Sequence, residues 1–267
     1  MSGKDFEGAV VIVTGASTGL GRAIAVETAS RGARAVVVNY ASSAAEAETT
    51  AEQVRAQGAE AILCQADVAD DAACRRIAEA AAPFGRVDAL FNNAGITKFA
   101  QNHGDLDAVS AEDFQRLYAV NVVGAYQMIR AARPLMDAAP RPAAVVNTAS
   151  VAGVMGIGSS VPYAASKGAL VTMTLSLARA LAPKIRVNAV CPGYIDTPWF
   201  GRNMDEAGLE RLRQGVAASV PLQVVSQAED IAGPAVFLAS PAAAHITGET
   251  LLIDAGSHLG RAPLGMR

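Results

Sequence analysis

The sequence predicts a doubly wound α/β fold, a parallel sheet with helices on both faces, and three observations carry that expectation. Seven short, β-branched apolar runs recur along the chain, Ala-rich stretches with helical spacing separate almost all of them, and a glycine-rich turn joins the first run to the first helix. Strand and helix alternating in this way imply parallel strands joined by right-handed crossovers.

The strand runs fall at 9–13, 35–38, 61–64, 87–91, 143–146, 185–190 and 250–253. Each is a continuous apolar stretch, the pattern of a strand buried on both faces. Helical spacing covers 20–31, 44–57, 71–82, 111–136 and 162–181, then a pair at 206–216 and 229–238. Gly32, Gly58 and Gly85 each follow a helix candidate, where a left-handed residue commonly closes the last turn. No linker divides the chain, so residues 1–267 are expected to form one domain.

Composition excludes several functions. About half of the residues are hydrophobic and 18% are charged, enough for a core and too apolar for a disordered chain. A formal charge of −3, with scattered Lys and Arg, gives no basic stripe for nucleic acid. No run approaches the roughly 18 apolar residues that span a bilayer, and residues 1–8 contain no apolar leader core. The expectation is a soluble, cytoplasmic protein. Cys64, Cys74 and Cys191 are too irregularly spaced for a disulfide framework, and His103, His245 and His258 lie far apart. No metal site is expected.

In an open parallel sheet, ligands bind beyond the carboxyl ends of the strands, and the unusual residues lie there. Thr14-Gly-Ala-Ser-Thr-Gly-Leu-Gly21 joins the first strand to the first helix, so Gly15, Ser17, Thr18, Gly19, Leu20 and Gly21 are candidates to hold a diphosphate. Glycine permits the tight turn and close backbone approach, while free N–H groups and the helix dipole favour an anion. After the second strand stand Asn39, Tyr40, Ala41, Ser42 and Ser43, with no acidic residue before Glu46. A carboxylate there would hold a ribose 2′-hydroxyl and repel a 2′-phosphate. Serine hydroxyls and turn N–H groups instead favour NADP(H) over NAD(H).

Asp67, followed by Val68, ends the third strand and is placed either to accept from an adenine amino group or to cap the next helix. Asn93, Ala94 and Gly95 end the fourth strand, where they would line the ribose or form a plain polar turn.

Tyr163 and Lys167 are four residues apart in a helix candidate and share one face. A nearby ammonium favours the phenolate, which brings a phenol of pKa about 10 closer to useful acid and base strength. Ser150 ends the fifth strand thirteen residues earlier, within reach of the phenol, where its hydroxyl would hold a substrate oxygen. Asn121 lies inside the 111–136 helix, where Asn is a poor helix former, and is either a surface residue or an inward one that holds a water.

With these motifs the chain resembles a short-chain dehydrogenase/reductase from end to end. Thr14–Gly21, Asn92-Asn-Ala-Gly95, Asn121, Ser150, Tyr163-Ala-Ala-Ser-Lys167 and Pro192-Gly-Tyr-Ile-Asp-Thr197 carry the likeness. The resemblance implies a Rossmann fold with a seven-stranded parallel sheet and a homotetramer. It also implies that Tyr163 is the general acid/base, Lys167 binds the nicotinamide ribose, Ser150 orients the carbonyl and Asn121 supports a water relay. Pro192, Gly193, Ile195 and Thr197 would contact the nicotinamide. The Asn39–Ser43 stretch is similar to 3-oxoacyl-acyl-carrier-protein reductases and related NADPH-dependent carbonyl reductases. Three features depart from them: a longer 96–110 loop containing Gln101, Val225 where Arg is common, and Ala255 in place of the first Gly of an Asp-Gly-Gly ending.

The expected activity is hydride transfer between NADP(H) and a small-molecule ketone or aldehyde, with a lid at about 195–225. Ser150, Met155, Tyr163 and Trp199, with Ile157, are the candidate substrate residues; for Met155, Ile157 and Trp199 ordinary packing is the competing role. Rival functions are an NAD-dependent sugar or hydroxysteroid dehydrogenase and a cofactor-binding sensor without turnover.

Overall fold

The computed structural model describes residues 4–100, 102–201 and 204–260. Both ends of the expected 1–267 unit, Gln101 and two positions of the expected lid therefore lie outside the described residues. Strands β1 (Val10–Val13), β2 (Ala35–Tyr40), β3 (Glu60–Gln65), β4 (Ala89–Asn92), β5 (Ala143–Thr148), β6 (Ile185–Pro192) and β7 (Thr250–Ile253) form one sheet in the order β3-β2-β1-β4-β5-β6-β7. Every neighbouring pair is parallel. All seven expected strands are present.

Alternation within the apolar runs explains the two-sided burial. Val11 and Val13 of β1 join Val36, Val38 and Phe91 in one core, while Val10 and Ile12 join Val37 and Leu90 in the other. The first core is covered by α1 (Gly19–Ser30) and reached by α2 (Ala44–Ala56), the second by α3 (Asp71–Glu79). Gly32, Gly58 and Gly85 have φ of +97°, +92° and +73°, as helix-closing left-handed residues should.

The continuous helix expected over 111–136 is corrected by the structure. It is divided into α4 (Ala111–Tyr118), a π-helical turn (Ala119–Gly124) and α5 (Ala125–Asp137). The wide turn brings Asn121 inward, where its side chain bonds the main chain of Ile96, and presses Gly124 against Val68. An ideal Cβ at Gly124 would lie 2.8 Å from a Val68 methyl carbon.

Downstream, the short helix α6 (Val151–Met155) precedes the long α7 (Val161–Leu181), which Ser160 caps by accepting from the Tyr163 N–H. After β6 come α8 (Pro198–Gly201), α9 (Glu206–Ser219) and α10 (Ala228–Ala239), the last returning to the α1 face. The helices α6 and α8 were too short to show a period in the sequence. Among the described residues no helix is long and apolar enough to cross a membrane. Strand order reverses between β1 and β4, so a crevice opens beyond their carboxyl ends, where a doubly wound sheet holds its ligand.

Candidate active site

The glycine turn is locked in place by the end of β4. Thr14 is buried; its Oγ1 donates to the Phe91 carbonyl and accepts from the N–H groups of Asn93 and Ala94, each at 3.0 Å. Asn93 Nδ2 donates in return to the carbonyls of Thr14 and Gly15. Gly15 and Gly19 have φ of +60° and +54°, and an ideal Cβ on Gly21 would lie 2.2 Å from the Gly15 carbonyl oxygen. Only glycine fits there. Thr18 precedes α1 without a side-chain cap, and the first helical turn carries no acidic residue. Its N–H groups and positive dipole end are thus available to an anion. Leu20 is buried in the core, so only its main chain belongs to this cradle.

At the end of β2, Asn39 is buried and its side chain is committed to the fold. Its Oδ1 accepts from the Gly15 N–H at 3.3 Å, and its Nδ2 donates to the carbonyls of Cys64 and Ala66. Asn39 therefore ties the glycine turn to β3, leaving half-buried Tyr40 and exposed Ala41 and Ser42 at the rim. Arg22 was missed by sequence reasoning because it lies beyond the turn itself. Its guanidinium donates to the Ser17 carbonyl at 2.7 Å, to Thr50 Oγ1 and to the Glu46 carbonyl, bringing a positive charge between the glycine turn and α2.

Asp67 does not cap α3; Asp70 does, accepting from the Ala72 N–H. Asp67 instead accepts from the Ala69 N–H at 2.9 Å and from Arg116 of α4 at 2.7 Å. Partial burial would raise its carboxyl, but these donors outweigh that and hold it below the usual value. Val68 is buried beneath the π turn.

Beyond β4 and β5 the four expected catalytic side chains converge. Ser150 is the N-cap of α6, accepting from the Ala152 N–H, and its side chain lies close enough to the Tyr163 phenol to favour the phenolate. Close helix contact makes this possible: an ideal Cβ on Gly153 would lie 2.4 Å from the Lys167 carbonyl carbon, so α6 rests directly on the backbone of α7. Lys167 is buried and its Nζ donates to the Thr148 carbonyl at 2.7 Å, 5.8 Å from the Tyr163 ring centroid. Asn121 Oδ1 accepts from the Ile96 N–H at 2.9 Å, and its Nδ2 donates to the Ile96 carbonyl and to Ser166 Oγ. Gly95 brings these groups together, since an ideal Cβ there would lie 3.4 Å from Asn121 Oδ1 and 3.5 Å from Lys167 Nζ.

The electrostatics differ from the sequence expectation. Burial raises the Tyr163 phenol above its ordinary value, against a smaller lowering by the Ser150 hydroxyl. Burial likewise pushes the Lys167 ammonium down to about 8, with Cys191 pulling the other way. The expected lowering of Tyr163 by Lys167 is not found: burial sets the direction of the phenol, and Ser150 rather than Lys167 acts against it. Cys191 lies in the same cluster; burial pushes it up to about 11, so it stays a thiol at neutral pH.

Pro192, the last residue of β6, is buried, and Gly193 packs against the Asp254 main chain. Ile195 pairs with Ser226, and Asp196 accepts from Arg213 of α9 at 2.8 Å, so both ends of the 195–225 segment are fastened near the sheet. Thr197 approaches the glycine turn, its Cγ2 lying 3.3 Å from an ideal Cβ on Gly19. Met155 and Trp199 remain exposed, so neither serves as core packing. Among the described residues no three His, Cys, Asp or Glu side chains cluster as a metal site.

The uncapped start of α1, two glycines with no room for a Cβ and a third at positive φ, and a Lys beside Gly95 with Tyr163 next to it together fit a nicotinamide dinucleotide laid from Gly15 towards Tyr163. The family model described as enoyl-(acyl carrier protein) reductase matches residues 15–258. L-rhamnose 1-dehydrogenase (NAD(P)(+)) of a Sphingomonas species is 38% identical over 96% of this chain and 98% of its own. A 3-oxoacyl-acyl-carrier-protein reductase of Staphylococcus aureus is 36% identical over 93% of this chain and 97% of its own. A short-chain dehydrogenase from Burkholderia cenocepacia, solved in complex with NADP, superposes with a TM-score of 0.83 at 33% identity, covering 95% of this chain and 99% of that one. The chain belongs to the short-chain dehydrogenase/reductase family and is an oxidoreductase of that family.

Proposed function

We propose that the protein is an NADP(H)-dependent carbonyl reductase, reversible as a secondary-alcohol dehydrogenase. The observation that carries this reading is the grouping of Ser150 and Lys167 around the buried Tyr163, with Lys167 beside Gly95, because a protein that only binds the cofactor needs no buried proton donor. When bound, the reduced nicotinamide supplies the hydride. Tyr163 gives its phenolic proton to the carbonyl oxygen, and Ser150 holds that oxygen with a hydrogen bond. Lys167, charged below pH about 8, stabilises the phenolate that remains and binds the nicotinamide ribose. Asn121 orients Gly95 and Ile96 and supports a water on the path to Lys167. Gly15, Ser17, Thr18, Gly19 and Gly21 hold the diphosphate, while Asp67, Asn93, Pro192, Gly193, Ile195 and Thr197 surround the adenosine and nicotinamide ends.

The preference for NADP(H) is supported by the lack of an acid from Asn39 to Ser43 and by the Arg22 cation at their edge. The 195–225 segment is the lid. Exposed Phe114, Val123 and Tyr126 on α4, the π turn and α5 supply an apolar face for assembly as a homotetramer, which light scattering tests.

The deciding experiment is Tyr163→Phe. It is expected to keep NADPH affinity while lowering turnover of a ketone about a hundredfold or more. Unchanged turnover removes Tyr163 from the mechanism, whereas a wild-type chain that binds NADPH and turns over no carbonyl returns the protein to the class of cofactor-binding sensors. Fluorescence titration with NADPH and NADH tests the cofactor, and tighter NADH binding reverses that part of the reading.

A further inference from the structure

The chain has one Trp, five Tyr and seven Phe, and they are not spread evenly. Phe99, Tyr194 and Phe200 gather beyond the carboxyl ends of β4 and β6, and Trp199 precedes Phe200 in α8. The Tyr194 and Phe200 rings are 4.7 Å apart between centroids and tilted, and Phe99 meets Phe200 edge-on at 6.3 Å. These contacts leave much of the group open: Phe99 is 54% exposed and Trp199 37%.

The wall lies along the reacting phenol. Ala100 donates from its N–H to the Ser159 carbonyl at 2.8 Å, and Thr97 bonds the Ser159 hydroxyl, so the chain carrying Phe99 runs beside 158–160. Gly158 in turn faces Tyr163, with an ideal Cβ 3.5 Å from the ring carbon Cδ1. Charges at this mouth are paired. Lys98 meets Asp113 at 3.3 Å and Arg213 meets Asp196 at 2.8 Å, so among the described residues these two cations are already matched by protein carboxylates. Tyr194 directs its hydroxyl to Asp196 as well.

We infer that the substrate is an uncharged ketone or aldehyde with an aromatic or fused ring next to the reacting carbonyl, the ring packing against Phe99, Phe200 and Trp199. The inference rests on the reductase reading and narrows it. Ring faces with open edges reward a flat apolar partner in offset or edge-on contact, and each such pair adds more than its buried area alone. A polyhydroxylated sugar would meet few polar groups on this wall, and a carboxylate or phosphate would meet cations that are already engaged.

The test uses the full chain with NADPH and two vicinal diketones, 1-phenyl-1,2-propanedione and 2,3-octanedione. The aryl compound is expected to have a kcat/KM about tenfold higher, chiefly through KM. Phe200→Leu and Phe99→Leu, checked for unchanged melting, are each expected to shrink that ratio at least threefold. Because Trp199 is the single tryptophan, its emission gives a readout independent of turnover. Here 1-phenylethanol should saturate a change at lower concentration than 2-octanol. Equal kcat/KM for the two diketones, with turnover intact, overturns the aromatic preference and leaves the reductase reading standing. No NADPH consumption with any carbonyl, while 1-phenylethanol still binds preferentially, overturns the reductase reading and keeps the aromatic site. Equal binding of both alcohols without turnover overturns both.

Discussion

Lys167 donates from its buried ammonium to the main-chain carbonyl of Thr148 at 2.7 Å, and that single bond fixes the cation at the end of β5 beside Gly95. A neutral carbonyl replaces only part of the water that an ammonium loses on burial, which is why burial pushes the group down to about 8. In the proposed reduction the charged form is the active one, because the phenolate left by proton donation from Tyr163 would be stabilised by a neighbouring positive charge. The kcat/KM for ketone reduction should therefore be level below pH 7 and decline as pH rises through about 8. A Lys167→Met variant should be slow throughout and lack this limb. A wild-type profile level to pH 9.5 would remove Lys167 from the proton chemistry.

The same depression predicts a stability effect of known sign. The folded-state value of about 8 lies below the ordinary 10.5, so between these limits the unfolded chain binds more protons, and wild-type stability from this group rises with pH. Below pH 8 the buried charge costs up to about 3 kcal/mol net of its hydrogen bond. Lys167→Met should melt up to about 5 °C above wild type at pH 7, and the gap should close by pH 10. A gap of constant size from pH 7 to 10 would contradict burial as the cause.

Gly21 and Gly58 separate two costs of adding a methyl group. At Gly21 the new carbon would fall 2.2 Å from the Gly15 carbonyl oxygen and 2.5 Å from Asn93 Nδ2, both parts of the lock on the glycine turn. At Gly58 it would meet nothing within 4 Å, although φ is +92°. Gly58→Ala should cost about 1–2 kcal/mol in urea unfolding and leave NADPH affinity as it is. Gly21→Ala should lose at least tenfold in NADPH affinity as well as stability. Equal affinity in the two variants would show that the turn does not carry the cofactor.

The sheet was legible in the sequence because its strands are buried on both faces, and two-sided burial writes a continuous apolar run such as Val10–Val13. Tyr163 and Lys167 were legible because helical spacing alone puts them on one face. The π turn at Asn121 was not, since apolar residues continue on both sides of it and one extra residue leaves no gap in the pattern. Nor was the docking of Gly153 on the backbone of α7, which brings Ser150 to the phenol through a contact between segments that both read simply as Ala- and Gly-rich. Asp67 and Asp70 are equally suited to cap a helix by type, and only the chain path decides that Asp70 does it. The raised Tyr163 phenol and lowered Lys167 ammonium depend on burial, a property of the whole fold.

Ala255, which departs from the Asp-Gly-Gly ending of similar reductases, has φ of +54°, in the left-handed region that a Cβ disfavours. The conformation is imposed by its neighbours: Asp254 is buried and accepts from the N–H groups of Gly256 and His258, while the Ala255 carbonyl accepts from the Leu222 N–H at the end of the expected lid. Replacing Ala255 by glycine relieves about 1–2 kcal/mol of strain, against up to about 1 kcal/mol of added chain entropy in the unfolded state. The net expectation is a gain of about 0.5–1 kcal/mol in urea unfolding, with turnover little changed because the Leu222 bond uses only the main chain. A loss of stability in Ala255→Gly would mean that the alanine methyl makes packing contacts worth more than the strain it carries.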